Sequence, residues 1–337
     1  MYYFGGVSDL AGSWSMRRTQ GEVKMQTIIA SEELTTGLKD TQKIANAGDV
    51  GRVFAIDREL SGIERYGQAM AAGRVRLDAT QSSLATIRTT AQEVTLGVLS
   101  LLEADSFKST EIQAAGAVPA LRSVVTMLNG EIAGHSLFSG ATIDRAPLKD
   151  GDEILADIEA IMAAAPDVAT AQADIDFYFD DPAGGFATSA YSGSANDAPD
   201  ISLAKGDTIA MTVRADTEAL RDTMKNLAII GAVANGTFAG TRKEQKELML
   251  AASQDALQVN DQLVKLQERV GYDQERLERA STRNQAERMR LNIARTELTG
   301  ADPYEAAGRF QELEAQMEKI FAITVKMSDL SLINYMR

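Results

Sequence analysis

The side chains that most often do chemistry in proteins are scarce in this chain. It contains one histidine, His135, and no cysteine. The commonest acid–base group is therefore nearly absent, and disulfides, thiolate nucleophiles and thiolate metal sites are excluded. His135 stands between two small residues near a predicted helix end, where a structural or incidental role is the usual one. We predict no catalytic residue.

Carboxylates beside a glycine turn are the second group that could do chemistry. The segment DFYFDDPAGG (176–185) offers Asp176, Asp180 and Asp181 as possible calcium ligands. Their spacing does not fit an EF-hand loop. The chain also lacks a Walker loop, a dinucleotide-binding fingerprint, a nucleophile elbow and a His-Glu-x-x-His sequence. We therefore predict no metal site and no cofactor.

Charge sets the middle of the chain apart from its flanks. Residues 150–235 contain sixteen acidic and four basic residues, so they carry −12 of the net charge of −14. Nucleic acid and an anionic membrane are therefore poor partners. No apolar run is long enough for a transmembrane helix, and no cleaved signal peptide is evident at the N-terminus.

The same middle segment has mixed structural signals. Alternating patterns predict strands at DIDFYFDD (174–181) and DTIAMTV (207–213), and apolar periodicity predicts helices near 152–164 and 218–230. We expect residues 150–235 to form an acidic α+β insertion that faces outward.

Two long segments on either side carry apolar seams with alternating steps of three and four residues. The first runs over 61–101 and the second over 241–298, where Thr241 and Glu244 have capping-box spacing. Such seams pack lengthwise against another long helix. We predict a mainly α fold in which these helices pair antiparallel, with a small β-hairpin within 129–148, and a helical bundle domain over 46–149 and 236–299. The central seam residues are Ile63, Met70, Leu77, Leu84, Val259, Leu263, Leu266 and Val270.

The two ends of the chain, 1–45 and 300–337, form the third predicted part. The first end has weak periodicity, which Gly37 closes. The second starts with Asp302 as a helix cap before Pro303 and carries one apolar stripe to the terminus. The pattern alone fits a tail docked on its own chain as well as one that contacts a neighbour. The candidate contact residues are Phe310, Leu313, Met317, Ile320, Leu330, Leu332 and Tyr335.

The tail from 301 to 337 resembles the C-terminus of the flagellin superfamily. Its closing LSLINYM is most similar to the bacterial flagellar hook-filament junction proteins (hook-associated protein 3 type). A second similarity is the family's Gly-x-x-Leu-Phe-x-Gly segment with its closing Pro-hydrophobic pair. The family's usual Asp-Asp-Pro element is replaced by ANAGDVGR (45–52). The matching positions of the second segment are Gly134, Leu137, Phe138, Gly140, Pro147 and Leu148.

The resemblance implies a structural subunit that joins hook to filament and is not an enzyme. Its ends would pair in the inner core of a tubular polymer, and the chain would leave the cell through the flagellar type III export apparatus. The implied partners are other copies in a ring or tube, hook-associated protein 1, flagellin subunits and an export chaperone. Filament flagellin is the alternative within the family. A soluble helical coiled-coil signalling or binding protein is the alternative outside it, although no sensor domain is visible, and an enzyme in the middle segment would have to work without histidine.

Overall fold

A computed structural model describes residues 5–104 and 107–335, with side chains described at 11–12, 14–104 and 108–327. This part of the chain is mainly helical. No helix in it is long and apolar enough to cross a membrane. The helices are α1 (Gly5–Thr36), α2 (Thr41–Asn46), α3 (Val50–Glu103), α4 (Phe107–Ala114), α5 (Ala117–Leu128), α6 (Gly151–Ala164), α7 (Val168–Asp180), α8 (Glu218–Ala234), α9 (Arg242–Thr299) and α10 (Pro303–Tyr335).

Two antiparallel hairpins and one π-helical turn complete the secondary structure that is described. The first hairpin joins β1 (Glu131–Ile132) to β2 (His135–Ser136), and the second joins β3 (Ala198–Ala204) to β4 (Asp207–Met211). The π-helical turn covers Phe186–Ala190. The predicted mainly α fold with a small β-hairpin is confirmed.

The chain divides into two compact units. The terminal unit comprises the chain up to Glu64 and from Gln285 onward, and the central unit comprises Arg65–Asn284. Both α3 and α9 contribute to each unit. Independent folding of a segment is a separate property from compactness, so the predicted domain boundaries stay predictions.

In the central unit, α3 and α9 lie side by side in opposite directions. Gln274 donates to Asp78 over 2.7 Å, and Arg74 forms an ion pair with Glu278. A step of one turn up α3 is therefore a step of one turn down α9, as the seams predict. Thr241 and Glu244 cap α9 reciprocally: the Thr241 amide donates to the Glu244 carboxylate over 2.6 Å, and the Glu244 amide donates to the Thr241 hydroxyl over 3.4 Å.

The helix α8 lies at the centre of the apolar core that it shares with α3 and α9. Most of its side chains are buried, on every side of the helix. A helix that is apolar all round must be covered on several sides, and α8 packs against α4, α5, α6 and α7. Residues 150–235 therefore share one apolar core with α3, α5 and α9.

The predicted strand at 174–181 is wrong, because this segment belongs to α7. Its buried residues Ala171, Ile175, Tyr178 and Phe179 recur at helical spacing. The side chain of Asp167 caps the helix by accepting from the amide of Thr170 over 2.8 Å. The alternation of apolar and acidic residues occurs here on a helix with a narrow buried face, so it does not indicate a strand. The predicted strand at 207–213 and the two predicted helices in this region are present as β4, α6 and α8.

Candidate functional site

The terminal unit contains a helical hairpin made of α1 and α10. The hydroxyl of Thr324 lies 3.7 Å from the sulfur of Met16, and Arg309 contacts Glu33 over 2.9 Å. As α1 is followed from 16 to 33, α10 is followed from 324 back to 309, so the helices are antiparallel. The predicted start of α10 is confirmed, since the side chain of Asp302 accepts from the Tyr304 amide over 2.8 Å.

The core of this hairpin is small. Among the described side chains, its buried apolar cluster consists of Val23 and Ala30 of α1 with Leu313 and Ile320 of α10. Two half-buried residues from α10 pack against them, Phe310 and Met317. The stripe of α10 that the sequence singled out therefore lies against α1 over these four positions. Leu330, Leu332 and Tyr335 lie on the last turns of α10, and their side chains are outside the described residues.

Large apolar side chains remain exposed on both helices of the hairpin. On α1, Trp14 is 68% exposed and Met25 is 61% exposed. They lie eleven residues apart, which is about three helical turns, so they share one side of the helix. Exposed large apolar groups in this number are typical of a surface that contacts another molecule. The corresponding residues of α10 are Phe321, Ile323, Val325 and Met327.

A buried carboxylate ties three helices of the terminal unit together. Glu33 is 3% exposed and accepts from the Lys43 ammonium at 2.6 Å, from Arg309 at 2.9 Å and from the Asp40 amide at 3.0 Å. Burial alone raises the pKa of Glu33, but the hydrogen bonds from Lys43 and Asp40 and the charges of Lys43 and Arg309 outweigh it, so the pKa is lowered. We call Glu33, Lys43 and Arg309 the Glu33 cluster. It joins α1, α2 and α10.

A short backbone pairing lies next to the Glu33 cluster. The amide of Lys39 donates to the Thr299 carbonyl over 2.7 Å, and the amide of Ala301 donates to the Gly37 carbonyl over 2.9 Å. Between them, Leu38 and Gly300 form an antiparallel bridge. Gly37 has a φ of 70°, which lets the chain leave α1 in the left-handed conformation that glycine favours. We call this pairing the loop bridge.

The bundle seam lies mostly in the central unit. On α3, Met70, Leu77 and Leu84 are buried, while Ile63 is half-buried and belongs to the terminal unit. The α9 seam residues are buried in the same apolar core: Val259, Leu263, Leu266 and Val270.

The candidate chemical groups have structural partners or lie at the surface. Asp176 and Asp180 accept from Lys225 at 3.2 and 3.0 Å, and Asp181 accepts from the Ala183 amide at 2.8 Å. His135 is exposed on β2. Among the residues that the structure describes, no cluster of histidine and acidic side chains could hold a metal ion.

The Glu33 cluster and the loop bridge were missed by sequence reasoning. The side-chain partners of Glu33 lie ten and 276 positions away along the chain. No local periodicity links residues at such distances. The signal that was available is weak: Glu33 falls on the same helical side as the buried Ala30, three residues earlier.

The C-terminal part of the chain matches a known family. Residues 255–336 match the model of the bacterial flagellin C-terminal helical region. No curated protein sequence gives a significant match to the chain.

Two solved structures are similar in fold. One is described as a flagellar hook-associated protein from Vibrio parahaemolyticus, with 15% sequence identity and a TM-score of 0.52, covering 73% of this chain and 95% of that one. The other is FlgL of Bacillus cereus, with 16% identity and a TM-score of 0.50, covering 72% of this chain and 98% of that one. The resemblance noted in the sequence is confirmed: the C-terminal region matches the flagellin C-terminal helical region, and the fold is similar to that of the two flagellar hook-associated structures.

Proposed function

We propose that this chain is a structural subunit of the bacterial flagellum that joins the hook to the filament as a hook-associated junction protein. The observation that carries the proposal is the set of exposed apolar side chains on α1 and α10, from Trp14 to Met327. They lie on the same hairpin as the flagellin-like C-terminal region. In a tube, these side chains would be buried against equivalent hairpins of neighbouring copies.

The energetics favour an assembled state for this hairpin. Fully burying one large apolar side chain contributes roughly 1.5–3 kcal/mol. Several such groups on each copy would offset the cost of association, which is about 4–15 kcal/mol. In a ring, each copy also gains contacts on two sides.

The proposal extends to partners and location. The ring or tube would contact hook-associated protein 1 on one side and flagellin subunits on the other, outside the cell. A flagellar export chaperone would hold the apolar hairpin before passage through the type III export apparatus. The absence of cysteine suits a chain that crosses compartments unfolded, because such a chain cannot form mispaired disulfides.

Electron microscopy of a deletion strain tests the proposal. Loss of the gene should leave hooks without attached filaments, with flagellin shed into the medium, and a plasmid copy of the wild-type gene should restore attachment. Normal flagella in the deletion strain would contradict any flagellar role.

Filament flagellin is the second candidate, because the matching family model is that of the flagellin C-terminal helical region. The same deletion separates the two. Shortened or absent filaments on hooks with intact junction proteins would favour flagellin over the junction role.

A further inference from the structure

An apolar groove opens between α3, the β1–β2 hairpin and β3 in the central unit. It encloses about 520 Å³, which is enough for one or two large side chains. Its walls include Ala72 and Val75 of α3, Ile132 of β1, Leu137 after β2, and Ile201 of β3. His135 also lines this groove and is exposed.

Arg76 supplies a cation to this groove. Its side chain is half-buried, and its Nε is buried without a hydrogen-bond partner. Its Nη2 donates a long hydrogen bond, 3.4 Å, to the Leu137 carbonyl. Burial lowers the pKa of Arg76, and no carboxylate among the described residues pairs with it. Asp200, which also lines the groove, accepts instead from the Thr208 hydroxyl over 2.9 Å. A partly desolvated guanidinium of this kind favours a carboxylate from outside.

The helix α7 presents a group of matching chemistry. Phe177 is 55% exposed, and Asp174 lies three residues before it on the same side of the helix and is also exposed. Asp174 has no ion pair with any described residue. The neighbouring carboxylates Asp176 and Asp180 are held by Lys225. An aromatic ring beside a free carboxylate therefore projects from the acidic segment.

We propose that the groove of one copy receives Phe177 and Asp174 of a second copy, with the Asp174 carboxylate accepting from the Arg76 guanidinium. The inference rests on the proposed assembly and names one of its contacts. The groove and α7 are different surfaces of the same unit, so the contact is head-to-tail. Repeated from copy to copy, such a contact closes into a ring or runs on as an open array.

Engineered thiols test the contact, because the chain has no cysteine of its own. The variant His135→Cys with Ala173→Cys places one thiol at the groove and one beside Asp174, and both positions are exposed. After oxidation of assembled flagella, it should give disulfide-linked dimers and a ladder of larger multimers. The matched control, Ser82→Cys with Ala173→Cys, keeps one thiol on an exposed part of α3 outside the groove and should give at least about tenfold less product.

The outcomes of the cross-linking experiment distinguish failure of this contact from failure of the proposed function. Variants that are incorporated but give no ladder would overturn this contact and leave the proposed function intact. A disulfide link to a different protein would overturn the choice of a second copy as the occupant. Failure of the wild-type chain to enter flagella would overturn the proposed function and, with it, this inference.

Charge exchange supplies an independent check on Arg76. In the double-cysteine background, Arg76→Glu or Asp174→Arg alone should lower the yield of linked multimers roughly tenfold, and the two together should restore most of it. If the circular dichroism melt shows that Arg76→Glu does not fold, Arg76→Gln takes its place. Its effect on the yield of linked multimers should be roughly two- to threefold smaller than that expected for Arg76→Glu. An exchange variant that stays as weak as the single variants would contradict the pairing.

Discussion

The buried carboxylate of Glu33 should make the local stability of the terminal hairpin depend on pH. Its pKa in the folded protein lies below the ordinary value of 4.5. A group of this kind stabilises the fold fully above its unfolded-state pKa, and that stabilisation is lost as the pH falls through the folded-state pKa. We therefore expect α1 and α10 to open more readily as the pH is lowered below about 4.5.

The substitution Glu33→Gln should remove most of this dependence. It leaves Lys43 without its carboxylate partner and Arg309 with Glu305 alone, and we expect a loss of about 1–3 kcal/mol of local stability near neutral pH. The partial exposure of both cations keeps the figure below that for a fully buried pair. Hydrogen exchange of α1, corrected for intrinsic rates and followed from pH 7 to pH 3, measures the effect.

Glu32→Gln is the matched control for Glu33→Gln. Glu32 is the exposed neighbour on the same helix, so its substitution should change exchange rates little at any pH. Equal behaviour of the two variants would show that the Glu33 cluster does not stabilise the hairpin.

At the scale of helices, the seam of the central unit gives a direct test of packing. Leu84 of α3 and Leu263 of α9 are fully buried. Their substitution by alanine should each cost about 2–5 kcal/mol of unfolding free energy. Leu257→Ala, at a 43% exposed position of α9, should cost less than about 1 kcal/mol. Urea unfolding followed by circular dichroism compares the three, and equal costs would mean that the seam is not the core.

The elements were predictable where burial imposes a period on the sequence. The seams of α3 and α9 have one buried face, and their periodicity shows it. By contrast, α1 is a helix of 32 residues, although its periodicity is weak. Among its described side chains, the buried apolar ones are Val23 and Ala30, so burial imposes little periodicity on its sequence. Residues 174–181 were predicted to be a strand because acidic residues alternate with apolar ones there, although the segment belongs to a helix.

At the scale of the whole molecule, the two units should differ in local stability. Among the side chains that the structure describes, the terminal hairpin has a small apolar core, while the central unit buries dozens of apolar side chains in one cluster. Segments with few buried contacts open first. Limited proteolysis of the monomer should therefore cut within α1 and α10 well before it cuts between residues 65 and 284. Equal cleavage rates in the two units would contradict this.

The end of α10 should act in assembly and not in folding of the monomer. The triple variant Leu330→Ser, Leu332→Ser and Tyr335→Ser removes on the order of 5 kcal/mol of apolar burial per copy if these residues contact neighbours. It should fail to cap hooks, while the melting temperature of the monomer stays within a few degrees of wild type. The control carries serine at three exposed positions of the same helix, Glu312, Glu314 and Glu318, and should still assemble. A large fall in the melting temperature of the triple variant would mean that the tail docks on its own chain.

The loop bridge also bears on how the terminal unit would carry a mechanical load. The Lys39–Thr299 and Ala301–Gly37 hydrogen bonds lie across two antiparallel segments, one directly after α1 and one directly before α10. A pull that slides one helix along the other would strain both bonds at once, together with the ion pairs of Glu33. Bonds strained in parallel resist more force than bonds broken one after another. Under the proposed junction role, torque applied to α10 would therefore reach α1 through the loop bridge.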